Sequence, residues 1–474
     1  MSGAQSNILT PKVDTVKQLL ADCESEKAVL STAIQQNELE HAKLMAQRGD
    51  IDVKIAHLRS ALAPIRRLPP EILCEIFRLA GPFGTAPWWL GHISQSLRDL
   101  AVGLPALWTR VAINSRSKRP TTLLRLELEE QLVRARGASL SVSVSLYAED
   151  WTNFVPLLDA VVSRCAQWED AVFFVLSNHD LFFSRLSAAR GNVPRLEVLN
   201  WSFGLSAPLD SPFRDTLAVA PRLRHASMDG EDSFELPWHQ LVSCYLEAPH
   251  QLHHLCASTA LVELTFNPNF GSESAPEPSH GAVTLPNLQS LNVVNDGLKY
   301  LVAPQLKRLK APTHEIPALR SFLSRSECAS LEWLALEEDD IRGINHVGCS
   351  ELVAALKLVP AVQTLLLTSP FGFDDATGQP SGATSYDLAI LFKAMTFHGS
   401  PEDILPRLST LVFALLQSPF THASFDDMAL SRHSTTRIVL LEAFRADANL
   451  SAAFMPKIVW VSVSSATAMT KMFS

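Results

Sequence analysis

Residues 64–111 read PIRRLPPEILCEIFRLAGPFGTAPWWLGHISQSLRDLAVGLPALWTRV, and this stretch decides how the chain is organised. Pro69 and Pro70 are followed at once by an apolar helical pattern. Proline fits the first turn of a helix because no backbone donor is lost there. Glu71 follows, where a carboxylate suits the positive end of the helix dipole. Ile72, Leu73, Ile76, Phe77 and Leu79 then recur at helical spacing. The Gly/Pro-rich segment Gly81 to Pro87 breaks the chain. A second helix is expected over about Leu90 to Val102, and Leu104-Pro105-Ala106-Leu107-Trp108 closes the unit. So short a segment cannot bury all these side chains by itself, and part of its apolar surface is expected to belong to a partner.

The series Arg66-Arg67-Leu68-Pro69-Pro70-Glu71-Ile72-Leu73, then Glu75-Ile76-Phe77, then Leu104-Pro105-Ala106-Leu107-Trp108 resembles an F-box. The whole layout is similar to that of the F-box proteins expanded in mushroom-forming fungi. The middle of the motif departs from the family pattern. Ser94 stands where the family often has cysteine, and Leu97 where it usually has tryptophan. The resemblance implies an adaptor surface formed by Leu68, Pro69, Ile72, Leu73, Ile76 and Phe77, completed by Leu107 and Trp108. It implies a Skp-family protein and a cullin complex as partners, and so membership of an SCF-type ubiquitin ligase.

The 474 residues are enough for two or three domains, and 47% hydrophobic with 19% charged residues places the chain in the soluble globular class. A net charge of −9 disfavours nucleic-acid binding through a broad cationic face. The seven cysteines are odd in number, and no pair has Cys-x-x-Cys spacing. Without a signal-peptide pattern they are expected to be reduced thiols, in cytoplasm or nucleus. No apolar run is long enough for a membrane span.

Before the motif, residues 13–62 hold one heptad register without a slip. Its a positions are Val13, Leu20, Lys27, Ile34, His41, Arg48, Ile55 and Leu62, and its d positions are Val16, Cys23, Leu30, Asn37, Leu44, Ile51 and Leu58. Eleven of these fifteen are apolar, which predicts a coiled-coil helix. Self-association and an intramolecular hairpin kinked near Gly49 stand as equal alternatives, and Pro64 ends the helix. A tight homodimer would bury Arg48 against Arg48, so at best a weak self-dimer of a separable segment is expected.

After the motif, Leu140 to Leu146 alternates apolar residues with serine, as a half-buried strand does. From about residue 190 a frame recurs: leucine, two residues, leucine, one residue, an apolar residue. It begins at Leu196, Leu223, Leu261, Leu288, Leu306, Leu331, Val362 and Leu408, at spacings of 18 to 46 residues. Proline stands two residues earlier at six of the eight, for example Pro194 and Pro286. The frame resembles a leucine-rich repeat. The expected fold class is therefore mainly α and then α/β: a coiled-coil helix (1–63), a small helical F-box (64–113), an irregular leucine-rich-repeat solenoid (114–456), and a C-terminal strand and tail (457–474).

No enzyme motif is present: neither a Gly-x-Ser-x-Gly elbow nor a phosphate-binding Gly-rich loop occurs. His239, Cys244, His253, His254 and Cys256 form the densest group of soft ligands, but their spacing is not that of a zinc site. The acidic run Glu337 to Asp340 and the pair Asp374-Asp375 read as solvated loops. No catalytic residue, cofactor or metal is expected. The sequence thus points to a non-enzymatic protein–protein interaction module, a ubiquitin ligase adaptor holding an unknown protein substrate, with neither nucleic acid nor membrane as partner. A scaffold derived from an F-box, outside ubiquitin ligation, is the alternative.

Overall fold

In a computed structural model of the chain the residues described are 10–62, 64–80, 88–147, 151–203, 215–229, 235–247, 249–256, 258–268, 281–312, 315–337, 349–368, 388–400, 403–414, 422–432, 436–441 and 458–461. The chain divides into two compact units, residues 1–80 and 81–474, so the helical stretch 64–113 straddles the division.

In the first unit, the heptad segment forms α1 (Thr10–Leu62), a single helix of 53 residues. It runs unbroken through Gly49, which excludes the kinked hairpin. Every side chain from Val13 to Arg59 is exposed. Apolar residues off the seam, such as Leu39 and Val53, are exposed as well. The Pro-Pro segment starts α2 (Pro70–Ala80), where the amides of Ile72 and Leu73 both donate to the Pro69 carbonyl.

The second unit opens on α3 (Gln95–Gly103), shorter than expected because a 3-10 turn, Trp88–His92, precedes it. Its N-cap is Ser94, whose hydroxyl accepts from the Leu97 amide, and Leu97 is buried. A serine is among the best caps for a helix N-terminus, which gives Ser94 a local physical reason at this position.

The sheet of this second unit overturns the expectation of a mainly α chain leading into an irregular solenoid. The body is an α/β fold on one 14-stranded parallel sheet, and it begins at Arg110, inside the segment assigned to the helical module. Its strands are β1 (Arg110–Asn114), β2 (Leu140–Leu146), β3 (Trp168–Val175), β4 (Val198–Phe203), β5 (His225–Asp229), β6 (Ser243–Leu246) and β7 (Glu263–Phe266). A minor pair, β8 (Val283–Thr284) and β10 (Leu301–Val302), flanks the next strand in sequence. The main sheet continues with β9 (Ser290–Val293), β11 (Arg308–Pro312), β12 (Trp333–Glu337), β13 (Thr364–Thr368), β14 (Thr410–Ala414), β15 (Arg437–Leu441) and β16 (Ile458–Val461). Each strand of the main sheet pairs with its predecessor and successor.

Parallel neighbours need crossover connections, and many of these are helical. They include α4 (Thr121–Ala135), α5 (Val155–Val162), α6 (His179–Leu186), α7 (Leu252–Leu255), α8 (Ile316–Ser326), α9 (Cys349–Leu356), α10 (Leu388–Met395) and α11 (His422–Arg432). α4 packs on α5 and α5 on α6; α8 to α11 pack in the same sequential way.

The eight leucine frames account for β4, β5, β7, β9 and β11 to β14. The frame marks one strand face, not the connection, which is why it misreported the fold class. Six of the described strands of the main sheet carry no such frame. In β6 the second leucine is replaced by Cys244, which still joins a buried row in register: Leu199, Ala226, Cys244, Leu264, Leu291, Leu309, Leu334, Leu365, Leu411 and Ile438. The recurrent proline has a turn geometry behind it. The Leu196 amide donates to Val193, Leu288 to Leu285, Leu306 to Ala303, and Leu408 to Leu405, each closing a four-residue turn. Proline in the second position presets φ for such a turn.

A buried carboxyl sits in this core. Glu315 is 4% exposed, at the N-terminus of α8, and its Oε2 accepts from the Leu298 amide at 3.2 Å. Burial, reinforced by neighbouring Asp296, pushes its pKa up to about 8. The folded chain therefore keeps a proton that the unfolded chain releases above about pH 4.5. Stability from this group is fully present below that value and is lost as pH rises toward 8, with a slope of at most about 1.4 kcal/mol per pH unit. Glu315→Gln is expected to remove this slope and to be the more stable form at pH 8. Urea unfolding of both proteins at pH 5 and 8 checks this; parallel pH dependence would contradict it.

Candidate docking surfaces

The α2 helix presents two faces. Leu73 and Phe77, four residues apart, are buried. Ile72, Ile76 and Leu79 face outward, at 49%, 38% and 71% exposure. Pro69 is exposed and Leu68 half-buried. Residues three and four apart share a helix face, so Ile72, Ile76 and Leu79 form one continuous apolar patch. Leu79 was not among the expected site residues, although its spacing in the sequence already placed it on this stripe.

Leu107 and Trp108 belong to the second unit. Leu107 is half-buried, packed against the core of the sheet domain, and Trp108 is 1% exposed. The Trp108 indole Nε1 donates to the Ala101 carbonyl at 2.7 Å, and its ring meets Trp88 edge-on at 4.9 Å. The Arg134 guanidinium lies over both rings, 4.5 Å from Trp108 and 4.7 Å from Trp88. Gln131, also on α4, donates to the carbonyls of Trp108 and Arg110. The Leu-Trp ending therefore anchors the α3 segment to the sheet, and the Trp108 side chain is core. Beside it opens a cleft of about 260 Å³ lined by Trp88, His92, Arg98, Val102, Trp108 and Arg134.

Strand alternation puts every second residue of the sheet on the face opposite the main core. Toward its middle this face is polar. The Tyr245 hydroxyl donates to Glu247 at 2.7 Å and accepts from Asn267, whose own carbonyl accepts from Asn295 at 2.7 Å. Burial first, and then the Glu247 carboxylate, push the Tyr245 phenol up to about 12. One step along, Lys310 pairs with Glu337 at 2.8 Å, and Arg308 lies over the Trp333 ring. Further on, Ala335, Leu366, Val412 and Val439 are register neighbours and form a second, small apolar cluster against Trp333. Of these residues Arg308, Lys310, Trp333, Ala335, Leu366 and Val412 were legible only as the non-leucine positions of the frames, and Tyr245 and Val439 lie on strands without a frame.

The fold does not gather the soft-ligand group, although the His253 and His254 rings lie 3.8 Å apart. Cys244 lies in the core row, where burial raises its thiol pKa, and His254 stacks on the Trp238 ring at 5.0 Å. Among the described residues there is no group of three or more His, Cys, Asp or Glu side chains placed to hold a metal ion. Residues 338–340, Asp374-Asp375 and the tail from 462 onward lie outside the described residues. Among the described residues no helix is long and apolar enough to cross a membrane. Scanned against models of protein families the chain matches none, and no curated protein matches it.

Proposed function

We propose that this chain is a non-catalytic adaptor that docks a Skp-family protein through α2, joins an SCF-type cullin–RING ubiquitin ligase, and holds a protein substrate on the sheet domain. The observation that carries this reading is the outward apolar row Ile72, Ile76 and Leu79 directly behind the Leu68-Pro69-Pro70-Glu71 helix start. Such a patch on an amphipathic helix suits docking to a partner, because fully burying an exposed side chain of this size contributes about 1.5–3 kcal/mol. The chemistry of ubiquitin transfer belongs to other subunits. This chain contributes proximity and orientation. The half-buried polar side chains from Tyr245 to Asn295, with the charged pair Lys310 and Glu337, suit hydrogen-bonded recognition of a protein surface.

The second reading, an interaction scaffold outside ubiquitin ligation, is favoured by Leu97 in the place of the family tryptophan. Co-expression with a Skp-family protein, a cullin and its RING subunit separates the two. The adaptor reading expects all four to co-elute from size exclusion as one complex. A chain eluting alone leaves the scaffold reading standing and removes the first.

A further inference from the structure

The longest unpartnered surface among the described residues is α1. At 53 residues it extends about 80 Å, and its whole described seam is open to solvent. The kinked hairpin is excluded by the unbroken helix, so the seam needs another chain. The polar residues along it distinguish the possible partners and directions.

In a parallel pair of identical helices each seam residue meets itself. Lys27, His41 and Arg48 would then oppose their own copies, three layers of like groups in the middle of the seam. An antiparallel pair obeys a different rule, because an a position meets a d position of the partner and the residue numbers in each layer have a constant sum. With that sum set at about 78, Leu20 meets Leu58, Cys23 meets Ile55, and Ile34 meets Leu44. The two remaining polar seam residues, Asn37 and His41, then meet each other at the centre, where an amide and an imidazole can hydrogen-bond. Lys27 and Arg48 come opposite Ile51 and Leu30, and their long stems can lie along apolar surface while the charges reach water. The distribution of polar residues along the seam is thus self-complementary in one direction only.

We propose that α1 pairs with α1 of a second copy of this chain as an antiparallel coiled coil in this register. Glu38 and Glu40 of both copies meet near the centre, which keeps the association in the micromolar rather than the nanomolar range.

Sedimentation of the full chain and three variants tests both the partner and the direction. Wild type is expected to form dimers at about 100 µM or below. Leu20→Glu alone and Leu58→Lys alone are each expected to weaken the dimer by about tenfold or more, since each buries unpaired charges against leucine. The double variant is expected to recover most of that loss, because the introduced charges face each other twice. A parallel dimer gives the opposite result, with the double variant weaker than either single one, and overturns the proposal. So does a wild type that stays monomeric at that concentration. A second readout uses the native thiol. In the Ile55→Cys variant, oxidation is expected to link Cys23 to the introduced thiol at position 55. The two native Cys23 thiols lie about 48 Å apart in this register, so a Cys23–Cys23 link would overturn it.

Discussion

Replacing Ile72 and Ile76 together by aspartate is expected to abolish binding of a Skp-family protein while leaving the sheet domain folded. Ile72 and Ile76 are 49% and 38% exposed, against 8% and 4% for Leu73 and Phe77, so the change disturbs the internal packing of α2 far less than one on its buried face. In the proposed complex the same positions would be desolvated, and an unpaired carboxylate there would cost more than the lost apolar contact alone. Two such positions near the centre of an interface account for at least about 3 kcal/mol, or a hundredfold in affinity. Titration calorimetry of wild type and variant, with circular dichroism as the folding control, reads this directly. Leu73→Asp and Phe77→Asp would not serve, because those side chains are buried and their loss would be confounded with unfolding.

The largest expected effect on stability lies elsewhere, at Arg432. This residue ends α11 and is 1% exposed. Its guanidinium donates to the carbonyls of Met395 at 2.7 Å, Leu405 at 2.9 Å and Ile404. It thereby ties the end of α10 and the turn before β14 to the end of α11. Burial lowers its pKa, opposed by the nearby Asp403 carboxylate, and an arginine remains charged even so. Arg432→Met keeps the volume but leaves three buried carbonyls without this donor. At about 1–3 kcal/mol for each unsatisfied group, the loss is expected to be at least about 3 kcal/mol. Arg432→Lys is expected to recover only part, since an ammonium cannot reproduce the planar fork. Urea unfolding measures the total, and limited proteolysis between residues 388 and 441 locates it. A loss below about 1 kcal/mol would contradict the role.

The sequence showed the strands better than the fold. Leucine frames identify residues that point into a core, and eight strands were found that way. They say nothing about how the chain returns from one strand to the next, and α8 to α11 return it as helices. The strands that escaped notice did so for particular reasons. β6 carries Cys244 in the leucine slot, which a small apolar thiol fills without announcing itself. β1 alternates buried Val111 and Ile113 with exposed neighbours, but it carries no leucine frame and comes directly after the helical segment. The start of α2 was legible because Pro-Pro-Glu is a local signal.

Which half of α2 faces outward was not legible. Ile72, Ile76 and Leu79, and equally Leu73 and Phe77, recur at helical spacing, and only the three-dimensional packing separates the two sets. The same limit applies to Trp108. Its neighbours Gln131 and Arg134 come more than twenty residues later, on a helix whose approach no local pattern reveals.

Hydrogen–deuterium exchange of the full chain, with and without a Skp-family protein, tests the docking of α2 most directly. Exchange is expected to slow in peptides covering residues 68–80 and to stay unchanged in peptides covering β4 to β14. Binding with no protection at 68–80, or no binding at all, would contradict the account.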